Sequence, residues 1–568
     1  MRLLEGLKAS LGPYEDRVVE RLRAWQAADF VRRLGARDPT LWFPTPVPEL
    51  TDRLGWLDLP EASSRDLEAL QAFAETVREE GIRHVVLLGM GGSSLAPEVI
   101  GQTLGSAPGY PELIVLDSTH PAAVRAVEDR CDPVATLFLV SSKSGTTAET
   151  LALFRYFWHR VSTGTSRPGR HFVAITDPGT PLERLAVERG FRQVFLGPPD
   201  VGGRYSALSV FGLLPAALIG VDVARLLDRA QAMAEACRTV GSEMENPGLV
   251  LGAALGELAR AGRDKVTFRT SPSLRAFPAW LEQLIAESSG KAGRGIVPVV
   301  DEPPGESSVY GPDRFFIGMT LKNDADVDLE RWMAGLEEAG HPVVSIRLDG
   351  PADLGGEFFR WEVAVAAACS VLGVHPFDQP DVQRTKDLTR QAMERSTSVP
   401  VAAVSVADPA ALAGALRAWE GSVRPGDYVA LQAFLAPTPE TTAILQDIRH
   451  RLRDRLGVAT TLGYGPRFLH STGQLHKGGP DTGLFLQLID EPVEDVPIPE
   501  TTFTFGRLLR AQADGDYQAL VERGRRVLRV DLGRDVRDGL AVLREAVQGF
   551  DGPPGRNWPR ASRTETTL

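Results

Sequence analysis

The chain has 568 residues, long enough for about three or four domains. Its 43% apolar and 24% charged content is ordinary for a soluble globular protein. A net charge of −12 excludes nucleic acid or an anionic membrane as the main partner, because both require a basic face; a small anionic substrate answers to local charge and stays open.

The three cysteines, Cys131, Cys237 and Cys369, lack paired spacing, so neither a disulfide framework nor a zinc site is expected, and a reducing cytoplasm fits. Residues 1–8 carry no apolar leader, and no run of about 20 apolar residues occurs to span a membrane. Residues 1–80 read as helices, at 15–33 and at 64–80, with Ser64 as the N-cap of the second. Alternation then begins. Strands are predicted at 84–88, 113–117, 136–141, 171–176 and 192–196, with helices at 95–104, 121–130, 147–161 and 181–189. Short apolar strands alternating with helices predict a parallel sheet covered on both faces. Residues 205–262 read as helical. A second alternation has strands at 264–269, 315–321 and 342–348 and helices at 272–286, 328–339 and 358–372. Beyond Ser396, strands are predicted at 399–404, 428–433, 484–489 and 526–530, and helices at 440–456, 505–523 and 535–548. The tail from Asp551, rich in Pro, Arg, Ser and Thr, reads as disordered.

The chemistry sits in the turns. The strand at 136–141 opens into Ser142-Lys143-Ser144-Gly145-Thr146-Thr147 and then a helix. Unpaired N–H groups and a partial positive charge make a helix N-terminus an anion site, to which hydroxyls and an ammonium add donors. This pattern exceeds what capping requires and predicts a phosphate cradle. Gly91-Gly92-Ser93-Ser94 likewise ends a strand and opens a helix; it fits a phosphate or sugar contact or a tight turn, and Ser94 occupies the third glycine position of a dinucleotide fingerprint. Gly202-Gly203-Arg204 fits either an arginine bracing an oxyanion or a structural arginine at a junction. Glu287 falls in the last turn of its helix, where the dipole disfavours a carboxylate; it reads as a general base or as a solvated helix end. In the segment 376–386, Gln379 and Lys386 meet either a ligand or solvent. His470 and His476 share a glycine-rich loop with Asp481 as the nearby carboxylate, and no metal is assigned there.

Taken together, Gly91-Gly92-Ser93, the run 142–150, Gly202-Gly203-Arg204-Tyr205-Ser206, Glu287-Ser288-Ser289-Gly290-Lys291 and the run 377–386 resemble the glucose-6-phosphate isomerase family in its order of motifs. Residues 390–550 look closest to the isomerase portion of bifunctional transaldolase/phosphoglucose isomerases, with no transaldolase-like barrel preceding them. The resemblance implies an α/β fold of two sugar-isomerase (SIS) domains, each a parallel sheet flanked by helices, plus a C-terminal α/β region. The expected boundaries are a helical segment 1–80, SIS domains at 81–204 and 263–396 around a connector 205–262, and a C-terminal region 397–550.

It also implies roles. Ser142, Lys143, Ser144 and Thr147 would hold a sugar 6-phosphate, with Gly92, Ser93 and Gly203 beside it and Gln379 on the sugar. Glu287 would move a proton between C2 and C1 through a cis-enediol, Arg204 would stabilise the enediolate, and Lys386 with a histidine would open the ring. The family's histidine precedes its FDQ segment. Here His341 and His375 lie in no matching loop, whereas His476 resembles that histidine locally but follows Lys386; His476 is therefore assigned, with His470 as the alternative. Ala148 and Asp381 also depart from the common pattern. The implied activity is interconversion of glucose 6-phosphate and fructose 6-phosphate, without a cofactor, in a cytoplasmic homodimer. Added activity on mannose 6-phosphate, or a non-catalytic SIS sensor, are the alternatives.

Overall fold

The computed structural model describes residues 6–548 apart from 46, 242, 325 and 395–400. The expected disordered tail and the first part of the strand expected at 399–404 lie outside the described residues.

Among the described residues, three five-stranded sheets organise the chain. A short strand, β1 (Leu7–Ser10), comes first. Then β2 (His84–Leu88), β3 (Glu112–Leu116), β4 (Thr136–Ser141), β5 (Phe172–Thr176) and β6 (Gln193–Leu196) form an all-parallel sheet in the order 3-2-4-5-6. Every residue of β4 is buried, which is why its sequence is a continuous apolar run rather than an alternation. The second sheet holds β7 (Lys265–Thr270), β8 (Val297–Val299), β9 (Arg314–Leu321) and β10 (Val343–Leu348), parallel in the order 10-9-7-8. Strand β1 pairs antiparallel with β10 and covers that edge, which would otherwise present unpaired backbone groups.

The C-terminal region carries a third parallel sheet: β11 (Val404–Ser405), β12 (Tyr428–Phe434), β13 (Ala459–Tyr464), β14 (Gly483–Ile489) and β15 (Arg526–Asp531), in the order 11-15-14-12-13. It packs against both of the others. Val297 and Val299 of β8 share a core with Tyr428, Ala430, Ala459 and Phe485. Val496, Ile498, Phe505 and Leu508 join the core on one face of the first sheet. A buried ion pair of Arg314 with Glu302 is tied to β13, because Glu302 also accepts from the Thr460 N–H at 2.8 Å. Among the described residues no helix is long and apolar enough to cross a membrane.

The structure corrects several local expectations. The helix expected at 15–33 is two, Glu15–Ala27 and Phe30–Gly35, broken where Asp29 turns left-handed at φ 52°. Ser64 does not cap the next helix, which spans Leu67–Glu79; its hydroxyl donates to the Pro60 carbonyl at 3.1 Å. The short strands β1, β8 and β13 were not legible, β13 because Thr460, Thr461 and Gly463 dilute its apolar signal. The glycine-rich stretch expected as a loop contains a buried helix, Gly473–Gly478.

Candidate active site

The site lies where the carboxyl end of the first sheet meets the helix Phe277–Ser289 and the segment 467–479. Strand β4 ends at Ser141, and Ser142 follows, buried, with its Oγ 2.9 Å from Thr147 Oγ1 and accepting the Gly145 N–H at 3.1 Å. Ser144 and Thr146 pair at 2.9 Å between hydroxyls. Gly145, at φ 66°, allows the reversal, and a Cβ there would meet Leu182 N at 2.8 Å. Thr147 stands at the N-cap of the helix Ala148–Gly164 without capping it, since its hydroxyl turns to Ser142 instead. The first turn of a 17-residue helix is thus left without a side-chain cap from Thr147. Lys143 leaves this ring: its ammonium is paired with Asp177 at the end of β5. Burial lowers the Lys143 pKa, and burial likewise raises that of Asp177, while each partner's charge works against the shift of the other.

The turn 91–94 presses on its neighbours through backbone. A Cβ on Gly92 would lie 2.0 Å from the Gly203 carbonyl, and one on Gly91 would lie 2.8 Å from Gln283 Nε2 and 3.0 Å from the His470 carbonyl. Glycine is required there because three loops converge. Ser93 is buried within this turn.

Arg204 is 2% exposed and held by four hydrogen bonds, which use four of its five N–H donors and leave one on Nη1. Its Nε donates to Ser288 Oγ at 2.8 Å, Nη1 to Gln379 Oε1 at 2.9 Å, and Nη2 to the carbonyls of Pro376 at 2.6 Å and Asp378 at 3.0 Å. Glu287 Oε2 lies 3.7 Å from Nη1 and accepts from Gln283 Nε2 at 3.1 Å. The two residues expected as base and electrophile are neighbours, each held by a second group. Gln379 is spent on orienting Arg204. Lys291 holds the same loop, donating to the Asp378 carbonyl at 2.6 Å and its carboxylate at 2.9 Å; burial, with Arg204 nearby, lowers its pKa to about 8.

The histidines separate. His476 is buried, with its ring between Phe468 and Phe485 and its Nδ1 3.2 Å from Gln432 Nε2. Burial, then Lys477 and Arg525, push its pKa well below the usual histidine range. His476, expected as the ring-opening residue, is thus enclosed between aromatic rings, a setting that disfavours its charged form. The alternative, His470, is half-buried, its Nε2 lies 2.9 Å from Glu149 Oε1, and its carbonyl accepts from Gln283 Nε2 at 2.8 Å. Gln283 thus bridges the His470 backbone and the Glu287 carboxylate. Burial alone would raise the Glu149 pKa; the His470 imidazole and the more distant Lys386 ammonium outweigh it, and the net shift is downward. Lys386 stands exposed on the helix Val382–Glu394, acting on Glu149 through space.

Sequence reasoning missed Glu149, Gln283, Lys291, Gln474 and Gln512. Glu149 was visible inside the 142–150 run, but its first-turn position already explained it. Gln512 Nε2 donates to Glu149 at 2.7 Å from 363 positions away, and no local pattern signals that. Gln474 ties the third sheet's segment to the site, donating to the Gly290 carbonyl at 2.9 Å and to Asp381 at 2.7 Å.

Comparison with known proteins places the chain in a family. Residues 66–305 match the family model for phosphoglucose isomerase. The chain is 32% identical over 395 residues to a glucose-6-phosphate isomerase of Rubrobacter xylanophilus, covering 61% of this chain and 90% of that protein. It is 30% identical over 384 residues to one of Thermus thermophilus, covering 60% and 90%. Among solved structures, a hypothetical protein of Thermus thermophilus superposes with a TM-score of 0.59 at 26% identity, over 68% of this chain and all of that one. A glucose-6-phosphate isomerase of Chlamydia trachomatis, at 19% identity and a TM-score of 0.56 over 69% and 89%, shares the fold. With a relative this similar matched over nearly its whole length, the chain belongs to the phosphoglucose isomerase family.

Proposed function

We propose that the protein interconverts glucose 6-phosphate and fructose 6-phosphate by proton transfer through a cis-enediol. The observation that carries this reading is the pairing of Glu287 with Arg204, 3.7 Å apart, with Gln283 linking Glu287 to His470 and His470 in turn paired with Glu149 in the first turn of the helix that follows the hydroxyl-lined turn 142–147. An aldose–ketose exchange needs an anchor for the phosphate, a base over C1 and C2, and a cation for the oxyanion that develops between them. Ser142, Ser144 and Thr147, with the N–H groups of the helix Ala148–Gly164, form the anchor. Lys143 joins the anchor by exchanging its Asp177 partner for the phosphate. Gly92, Ser93 and Gly203 form the wall beside it.

Glu287 takes the proton from one carbon and returns it to the other. C2 gains a carbonyl as C1 loses one, so the redox change is internal and no cofactor is assigned. Arg204, locked by Ser288 and Gln379, meets the enediolate without reorganising, which is the condition under which such a charge lowers a barrier by about 3–4 kcal/mol. His470, fixed by Glu149, takes the ring-opening role with Lys386.

Replacing Glu287→Gln keeps the shape and hydrogen bonding but removes the base. Turnover is expected to fall about 10²–10⁴-fold while sugar-phosphate affinity stays within a few-fold. Turnover near that of the wild type in a coupled assay would rule Glu287 out as the base.

A further inference from the structure

A cavity of about 560 Å³ opens at the carboxyl end of the third sheet, lined among others by His120, Arg125, Thr438, Asp490, Arg534 and Arg537. Thr438 follows β12, Asp490 follows β14, and the two C-terminal arginines follow β15. In the order 11-15-14-12-13 the chain runs outward from β12 to β13 and then returns to β14 on the opposite side. The switch point therefore lies between β12 and β14, where open parallel sheets bind ligands. Two helices start at the cavity, the 18-residue Pro439–Leu456, capped by Thr438, and the 13-residue Val536–Gln548. Their N-terminal dipoles favour an anion, although one N–H of each is already taken, by the Thr438 hydroxyl and by the Asp535 carboxylate. Arg534 and Arg537 are committed only to exposed carboxylates, Glu491 at 3.4 Å and Glu440 at 3.1 Å, pairs weak enough to yield to a phosphate.

A second feature points to a ligand independently. Asp490 is 6% exposed. His120 Nδ1 accepts the Ala122 N–H at 3.1 Å, so its Nε2 carries the proton and donates to Asp490 Oδ2 at 3.0 Å. Asp490 Oδ1 is buried with no hydrogen-bond partner among the described residues. A carboxylate oxygen withdrawn from water without a donor is costly, and a ligand hydroxyl would satisfy it.

We propose that this cavity is a second ligand site, separate from the 142–147 turn, for a phosphorylated polyhydroxy compound. Its anionic group meets the two helix starts with Arg534 and Arg537, and a hydroxyl donates to Asp490. The test is calorimetric titration of the full-length protein with 6-phosphogluconate, which carries both groups and cannot isomerise. Two molecules per chain are expected. The Arg534→Glu/Arg537→Glu variant, changed only at exposed positions, should weaken one of them at least about 10-fold, and Asp490→Asn should weaken the same one. Ser142→Ala/Thr147→Val should weaken only the other, which separates failure here from failure of the isomerase site. A stoichiometry of one in the wild type, or two sites unmoved by both the arginine and the aspartate variants, overturns the proposal.

Discussion

One short segment carries two histidines in opposite settings. His476 packs between aromatic rings and stays neutral, whereas His470 pairs with Glu149 at the edge of the site. Substituting His470→Asn is expected to lower turnover about 10²–10⁴-fold with little loss of stability. His476→Leu, of similar bulk, should keep turnover within a few-fold. A steady-state comparison of the two variants decides the assignment, and the reverse ranking would restore His476. Local likeness favoured His476 because the residues around it resemble a known loop; its burial, which favours His470 instead, is set by β12 and β14 and cannot be read locally.

A third side chain in this neighbourhood responds to pH. Burial pushes the Glu282 carboxyl from 4.5 up to about 7, against the Ser471 hydroxyl that donates to it at 3.2 Å and against Arg467 and Arg449. The folded state holds a proton that the unfolded chain releases across that window, so stability is full below it and declines as pH rises toward 7. Glu282→Gln is expected to match the wild type in thermal unfolding near pH 5 and to exceed it by up to about 3 kcal/mol near pH 8. An equal difference at both values would show that the carboxyl is not so shifted.

At the scale of elements, the site is shaped by backbone meeting backbone. The turn 91–94 and the turn 202–206 touch at Gly92 and Gly203, yet the two glycines are not equivalent. A Cβ at Gly92 would strike the Gly203 carbonyl at 2.0 Å, while one at Gly203 meets nothing within 4 Å. Gly92→Ala should therefore cost about 1–3 kcal/mol in urea unfolding and raise KM, whereas Gly203→Ala should leave stability within about 0.5 kcal/mol. Equal losses at both positions would refute this account of the contact. The sequence flagged both glycines as loop residues, but which one receives the other's carbonyl depends on how two distant turns dock. The same limit explains Arg204. Its charge and its glycine neighbours were legible, whereas its partners Ser288, Pro376 and Asp378 come from elements more than 80 positions away.

For the molecule as a whole, the alternation of apolar strands and helices made the first sheet and the three longer strands of the second legible, since buried parallel strands leave continuous runs such as 136–141. The third sheet was legible as strands without its purpose. Nothing in the run 428–489 announces that it delivers a histidine to a carboxylate 321 positions earlier.

That delivery has a consequence for concentration. When a donor and its acceptor sit on separate molecules, the fraction of complete sites falls on dilution. Here His470 and Glu149 belong to one polypeptide, held together by the core in which Val496, Ile498, Phe505 and Leu508 pack on the helix Ala148–Gly164, so the encounter is intramolecular and its effective molarity is fixed by the fold. Specific activity per chain is expected to stay constant as the protein is diluted from micromolar to picomolar, whether or not chains also pair. A steep loss on dilution, reversed by adding back Glu287→Gln protein that supplies an intact His470, would show instead that the working site is shared between copies.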